Sequence, residues 1–175
     1  MSDTSQADLS STPSPLIPNS REAEEAVLGS VMINPEAYFD VASFLKADDF
    51  YIQRHSWIWQ CYVRLHEKNA PIDFLSVTEE LDQMGRLADI GGPAYLNALV
   101  SNVPTSLHAE YYGHLVEETS IRRRMLTAAN EIARLALQEG SSIDTMMDEA
   151  EKSIFSVSER RMTRDLQSIQ QVLSS

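Results

Sequence analysis

Four histidines and a single cysteine are the side chains of this sequence best suited to metal or nucleophilic chemistry. His108 and His114 lie six positions apart, which separates them by about 240° around a helix, so they face different directions. Cys61 has no second cysteine to pair with, and we identify no neighbour that would activate its thiol. The pattern therefore predicts neither a metal site nor a cysteine nucleophile.

The sequence also lacks the features of a nucleotide site. Gly91-Gly92 is followed by Pro93, where a phosphate-binding loop needs a lysine and a hydroxyl residue. Carboxylates are numerous, but no pair is spaced distinctively for acid–base chemistry. We expect Gly91-Gly92 to form a structural turn, and we predict that this chain is not an enzyme and holds no cofactor.

Charge is distributed unevenly along the chain, whose formal net charge is −12. Residues 1–120 hold 18 acids and 6 bases, a net of −12, whereas residues 121–175 hold 8 of each, a net of zero. Nucleic-acid binding depends on Lys and Arg that neutralise phosphates, so little direct DNA binding is expected. The run Arg122-Arg123-Arg124 fits solvated helix charges with local ion pairs, or docking of an acidic partner.

Length and composition favour one compact domain. The 175 residues, 43% of them hydrophobic, are enough to bury a core. No apolar run approaches the roughly 18 residues that span a bilayer, and the N-terminus does not resemble a signal peptide. We therefore expect a cytoplasmic protein without membrane contact. Residues 1–18 are rich in Ser, Thr and Pro and are predicted to be a disordered tail.

The elements that must position any site are helical, and the predicted class is all-α. Residues 19–118 read as a compact helical subdomain. Capping patterns place one helix start at Asn19, with Glu22 three positions later, and another at Ser76, with Glu79 three positions later. Asn34-Pro35 predicts a further helix that reaches about Leu45.

Residues 119–160 are predicted to form an antiparallel helical hairpin that turns at Gly140-Ser141-Ser142. The apolar positions of its first helix span an arc of about 200°, twice what one packing partner requires. One side is assigned to the second helix through Ile143, Met146, Met147, Ala150, Ile154 and Val157. The other side needs the chain's own core, a second copy or another protein. The residues predicted to build the hairpin and its self-association are Ile121, Met125, Ile132, Leu135, Met147 and Ile154.

Residues 161–175 carry a further amphipathic stripe, formed by Leu166, Ile169 and Leu173 together with Val172. Nothing later in the chain defines a partner for this stripe. It fits a frayed tail, a segment folded back on the hairpin, or a linker helix that leads to another domain.

Short motifs occur in a distinctive order from Pro18 to the C-terminus. They are Pro18-Asn19-Ser20-Arg21-Glu22-Ala23-Glu24, Ala26-Val27-Leu28-Gly29, Asp48-Asp49-Phe50-Tyr51, His55, Pro71-Ile72-Asp73, Ile90-Gly91-Gly92, Tyr95-Leu96, Val103-Pro104-Thr105, Tyr112 and Val116. Each motif is weak alone, but their order and spacing resemble the N-terminal domain of the bacterial replicative helicase family, DnaB.

This resemblance implies a scaffold rather than a catalyst. In that family, hairpins pair between subunits, a trimer of such dimers forms a collar, and the C-terminal domain of primase docks on it. The family's primase contacts correspond here to Tyr95, Arg123, Leu126 and Ile132, although Leu126 and Ile132 also fit packing within the chain. The linker helix of the family packs on a neighbouring ATPase domain, which implies a docking role for Leu166, Ile169 and Leu173.

The sequence departs from the family in lacking the ATPase domain, which holds ATP, magnesium and the 5′–3′ DNA helicase activity. The resemblance therefore implies the interaction domain of a longer helicase, with self, primase and a helicase loader as candidate partners. A free-standing adapter or loader-like protein that regulates a helicase is the alternative.

Overall fold

The computed structural model describes residues 16–105 and 108–174. Within these ranges the chain is helical and contains no strand, which confirms the predicted all-α class. The elements are α1 (Arg21–Ile33), α2 (Ala37–Ala42), a short 3-10 helix (Ala47–Asp49), α3 (Gln53–Glu67), α4 (Phe74–Gln83), α5 (Gly92–Ser101), α6 (Ala109–Leu137) and α7 (Ile143–Leu173). Most of the predicted tail, residues 1–15, lies outside the described residues.

The globular part, here called the head, consists of α1–α5 and the first half of α6. Its core is built around α1, where Val27 and Leu28 are fully buried, and around α3, where Trp59 and Tyr62 are buried. The Tyr62 hydroxyl donates to the Leu28 carbonyl at 2.9 Å, so the one polar atom of that ring is satisfied inside the core. Apolar burial on this scale is the main force that stabilises a domain.

Glycine 29 sets the spacing of two helices in the head. A Cβ atom at this position would collide with the Leu99 carbonyl and with Val103. The backbone of α1 therefore approaches α5 more closely than any other residue would allow.

The helix starts differ from the predicted ones at two caps. Ser20, not Asn19, caps α1, because its hydroxyl accepts from the Ala23 N–H at 3.3 Å while the Asn19 amide donates to the Ile17 carbonyl. Asp73, not Ser76, caps α4, since its carboxylate accepts from the Ser76 N–H at 2.8 Å. In both places a second side chain that can cap a helix lies near the predicted cap. The spacing to a glutamate three positions later, used alone, selects the residue that does not cap the helix.

The helix predicted from Asn34-Pro35 is also shorter than expected. It ends at Ala42 as α2, because the chain then turns so that Phe44 and Leu45 enter the core.

The last two helices form an antiparallel hairpin, here called the arm, from Ile121 of α6 to the end of α7. Helix α6 is continuous from the head into the arm, and the turn at Gly140, with φ of +90°, reverses the chain. Helix α7 has 31 residues and covers both the predicted hairpin helix and the predicted linker segment. Positions 106, 107 and 175 of these predictions lie outside the described residues. In the described part of the chain, no helix is long and apolar enough to cross a membrane.

Candidate interaction surface and its junction with the head

The side of α7 that faces α6 is narrow and carries few large apolar groups. Its partly buried positions follow a spacing of four and three residues, which is the contact spacing of paired helices. They are Met146, Ala150, Ser153, Val157, Arg160 and Arg164. On α6, Ala128 and Leu135 are buried against this side. No residue of α7 is itself buried, although the helix is the longest element in the described chain.

A second side of the arm, here called the outer face, is apolar and uncovered. Along α7 its residues expose between 50% and 81% of their surface. They are Ile143, Met147, Ile154, Phe155, Met162, Leu166, Ile169, Val172 and Leu173. On the part of α6 that belongs to the arm, the exposed large apolar residues are Met125, Leu126 and Leu137.

The two exposed stripes lie on the same side of the arm. Each stripe is displaced by about 130° around its helix from the positions that face the other helix. The two helices run in opposite directions. Viewed down one axis, the same rotation is therefore clockwise in one helix and anticlockwise in the other, which brings both stripes to one side of the arm. Large exposed apolar patches are uncommon on monomeric proteins and commonly mark interaction sites.

Charged and polar groups from both arm helices converge on Asp49 of the head. This carboxylate is fully buried and accepts from Arg160 of α7 at 2.8 and 3.1 Å, and from the Ser120 hydroxyl of α6 at 2.7 Å. The Lys46 backbone N–H donates to it at 2.8 Å, and Arg124 lies 3.6 Å away. Asp49 therefore joins both arm helices to the head, and we call this group the Asp49 junction.

A second buried network lies inside the head. The Glu24 carboxylate accepts from the backbone N–H groups of Tyr51 and Ile52 and from Nδ1 of His55 at 2.6 Å. His55 and Glu24 are fully buried, and Nε2 of His55 lies 2.5 Å from the Tyr95 hydroxyl. When Nδ1 carries the proton of a neutral ring, the Tyr95 hydroxyl donates to Nε2. The network thus joins α1, α3 and α5.

Tyr95 connects this buried network to charged groups at the surface. Its hydroxyl lies 3.4 Å from Glu25, and the Arg54 guanidinium sits 3.8 Å from the centre of its ring. Burial, together with the Glu25 carboxylate, raises the pKa of Tyr95 to about 12, against the opposing effect of Arg54. A neutral hydroxyl is therefore held in place over the whole physiological range of pH.

The cysteine and the metal-ligating residue types complete the description of the reactive groups. Cys61 is buried. This burial and, to a smaller extent, the Glu80 carboxylate raise the pKa of its thiol to about 12, which keeps the thiol protonated. Among the described residues, no group of three or more His, Cys, Asp or Glu side chains is arranged to hold a metal ion.

Comparison with known proteins identifies the fold. The family model described as the DnaB-like helicase N-terminal domain matches residues 16–118, more than half of the chain. The chain belongs to this family. The replicative DNA helicase DnaB of Geobacillus stearothermophilus is 37% identical over 156 residues, which are 89% of this chain and 34% of that protein. The chain therefore spans about a third of the length of this curated DnaB relative.

Solved structures agree with the family assignment. The crystal structure of the N-terminal domain of DnaB helicase from Mycobacterium tuberculosis is similar with a TM-score of 0.75 and 31% identity, over 81% of this chain and 99% of that one. A structure of a DnaB-like replicative helicase and its interactions with primase is similar in fold with a TM-score of 0.64 and 24% identity, over 79% of this chain and 31% of that one. The described head and arm thus form a DnaB-type N-terminal domain.

The residues predicted for hairpin building and self-association occupy two different environments of this DnaB-like domain. Leu135 is buried, and Ile121 and Ile132 are partly buried. Met125, Met147 and Ile154 are more than half exposed on the outer face. Ile143 is exposed as well, so the inner side of α7 consists of Met146, Ala150 and Val157 from the predicted set, without Ile143, Met147 and Ile154.

The four residues carried over as primase contacts do not share one environment. Leu126 is 48% exposed on the outer face, whereas Ile132 is partly buried in the arm. Arg123 is engaged inside the chain, because its guanidinium donates to the carbonyls of Pro18 and Asp49 at 2.8 and 2.6 Å. Tyr95 is held by His55 in the head. The three residues predicted for linker docking, Leu166, Ile169 and Leu173, are all exposed on α7.

Sequence reasoning missed the Asp49 junction and the Glu24–His55–Tyr95 network. A signal for each is present in the sequence. Arg160 continues the inner spacing of Met146, Ala150, Ser153 and Val157, and a cation at a packed position requires an acidic partner. Glu24 lies one helical turn before Val27 and Leu28, on the side of α1 that enters the core. In both cases the partner is far away in sequence and could not be named without the fold.

Proposed function

We propose that this DnaB-type domain acts in the cytoplasm as the interaction domain of a replicative DNA helicase, in which arms of two copies pair through their outer faces and build a collar. The observation that carries the proposal is the uncovered outer face of the arm, where five residues of α7 before Leu166 are each at least half exposed. A helix without a buried residue gains little from its own chain and is stabilised when a partner covers it.

A second copy is the partner that fits this face in charge as well as in polarity. Residues 121–175 are neutral overall, with 8 acids and 8 bases, whereas residues 1–120 carry a net charge of −12. Two heads repel each other, but two arms do not. Pairing through the arms therefore keeps the acidic heads apart while it buries apolar surface.

We propose further that the collar recruits primase, through the C-terminal domain of primase. A similar fold occurs in a DnaB-like replicative helicase whose structure was solved together with its interactions with primase. Of the four candidate contacts, Leu126 is the one that the arm presents on its outer face, whereas Arg123 donates to the Pro18 carbonyl and Tyr95 is held by His55 in the head.

Light scattering on a sizing column, with this chain alone and with the primase C-terminal domain added, tests both statements. We expect a dimer or larger assembly that gains mass with primase. Leu126→Glu, on the outer face, should reduce both the mass of the chain alone and the gain with primase, whereas Thr127→Glu, which adds the same charge at the next exposed position, should reduce neither. A chain that stays monomeric and gains no mass would refute the collar and the recruitment of primase.

The exposed stripe at the end of α7 completes the proposal. In a full-length helicase, we infer that Leu166, Ile169 and Leu173 dock on the ATPase domain of a neighbouring subunit, since all three are more than half exposed in this chain. Ile169→Asp in the full-length protein should then lower the mass of the assembled ring. A ring of unchanged mass and unchanged ATPase rate would contradict the docking.

A further inference from the structure

A basic cavity lies where the arm meets the head. It encloses about 450 Å³ between α6, α7 and the segment that follows α2. Five cationic side chains line it, and they come from all three of these elements. They are Lys46, Arg124, Arg160, Arg161 and Arg164. We call this cavity the basic groove.

The concentration of cations is unusual for this chain, in which 26 acids face 14 Lys and Arg. More than a third of all its Lys and Arg side chains line this single cavity. The carboxylates at the groove are Glu117 and Glu159 in its lining, with Asp48 and Asp49 behind Arg160. The cations therefore outnumber the carboxylates by one, in a protein whose overall balance is strongly the reverse.

Three of the five cations are already engaged. Arg160 pairs with Asp49 at 2.8 Å, Arg124 lies 3.6 Å from the same carboxylate, and Arg164 pairs with Glu117 at 2.5 Å. Within residues 16–105 and 108–174, no carboxylate lies within 4.0 Å of the Lys46 ammonium or the Arg161 guanidinium. Two cations of the groove, one supplied by the head and one by the arm, are thus not engaged in an ion pair.

An unpaired donor in the groove wall points in the same direction. The Nε atom of Arg124 is buried and has no hydrogen-bond partner among the described residues. Buried donors in proteins are nearly always paired, so Arg124, which lines the groove, carries a hydrogen-bonding group that no described residue satisfies.

From these observations we propose that the basic groove binds a small phosphorylated anion that bridges Lys46 of the head and Arg161 of the arm. Phosphate oxygens accept several hydrogen bonds at once and match both the guanidinium fork and the lysine ammonium. The volume lies within the range of about 300–1,000 Å³ that is typical of small-ligand sites.

The charge of the head favours a small ligand over a nucleic acid. A long phosphate chain at the groove would also be exposed to the net charge of −12 carried by residues 1–120, which repels it. A compact anion meets only the groove itself. Because it would contact both the head and the arm, its binding should stiffen their junction and raise the melting temperature of the domain.

Calorimetry and thermal melting of this chain test the proposal. The ligands are inorganic pyrophosphate and ATP without magnesium, and the control is sodium chloride at matched ionic strength. We expect pyrophosphate and ATP to bind and to raise the melting temperature, while chloride does not. The double variant Lys46→Gln/Arg161→Gln should bind at least ten times more weakly. Lys152→Gln, which removes an exposed α7 cation outside the groove, should bind as the wild type does.

Two results would overturn the proposal. One is a lack of specificity: the melting temperature responds equally to pyrophosphate and chloride, or Lys152→Gln loses as much binding as the double variant. Either finding would mean that only general ionic screening is involved. The other is a single-stranded thymidine oligonucleotide that depends on Lys46 and Arg161 while pyrophosphate and ATP do not bind. That outcome would assign the groove to a nucleic-acid backbone.

Discussion

The head and the arm are both helical, yet they are stabilised in different ways. In the head, short helices of 6 to 15 residues surround a core in which Trp59 and Tyr62 are almost completely buried. In the arm, the 31 residues of α7 include no buried residue. Helix length therefore says little about how a helix is stabilised, since isolated helices are marginal without tertiary packing. The helices of the head pack on one another within the chain, whereas the apolar face of the arm is not covered by the described chain.

Besides the continuous helix α6, two buried or partly buried ion pairs link the two regions. Arg160 reaches from α7 to Asp49, and Arg164 reaches to Glu117 of α6. Charge-assisted hydrogen bonds fix direction and register more sharply than apolar contacts do. Such a junction holds the arm at a defined position on the head while it leaves the outer face uncovered.

Truncating one aromatic residue in each region should separate them most clearly. Trp59→Ala removes a side chain that is 1% exposed, so we expect the free energy of unfolding to fall by about 3–5 kcal/mol. Phe155→Ala removes a side chain that is 52% exposed, and it should change the free energy by less than about 0.5 kcal/mol in the monomer. Urea unfolding at low protein concentration measures both. Equal losses would mean that the arm is packed as the head is.

Removing the charge of Asp49 should have a smaller but clear effect. Asp49→Asn leaves Arg160 and Arg124 without their buried carboxylate, and we expect a loss of about 1.5–3 kcal/mol. Asp48→Asn is the matched control, because the Asp48 side chain is 80% exposed and its pair with Arg160 should contribute less than about 1 kcal/mol. Similar losses in both variants, measured by urea unfolding, would contradict a junction centred on Asp49.

The smallest predicted effect belongs to Tyr95 and appears only in alkali. Burial and Glu25 raise its pKa from 10.0 to about 12, so the unfolded chain loses this proton first as the pH rises. The stability contributed by the neutral hydroxyl is complete below pH 10 and declines between about pH 10 and 12. The difference in unfolding free energy between the wild type and Tyr95→Phe should shrink over that window. A difference that does not vary with pH would mean that the hydroxyl is not protected.

Much of the fold follows from the sequence because local signals and burial agree. The helical class, the break at Gly140 and the antiparallel hairpin are all set by residues close in sequence. The caps at Ser20 and Asp73 were missed because two hydrogen-bonding side chains compete at each start, and backbone geometry decides between them.

The candidate site was predictable in part. The excess apolar arc on α6 predicts more apolar surface than one partner covers, and Met125, Leu126 and Leu137 of this helix are exposed. The sequence did not predict which apolar residues of α7 face α6 and which are exposed. Met146 faces inward and its neighbour Met147 faces outward, so a shift of one position along the helix changes the assignment. The Asp49–Arg160 and Glu24–His55 pairs join residues 111 and 31 positions apart, and no local pattern encodes such pairings.

The central claim is that the outer face of the arm binds a second copy of this chain, and its most direct test is the mass in solution. Light scattering should give twice the monomer mass or more at micromolar concentration. Ile154→Asp, at a position that is 60% exposed, should return the chain to a monomer with unchanged helix content. Ser156→Asp, on the opposite side of the same turn, should leave the assembly intact. A wild-type monomer at every concentration, or an assembly unaffected by Ile154→Asp, would contradict the account.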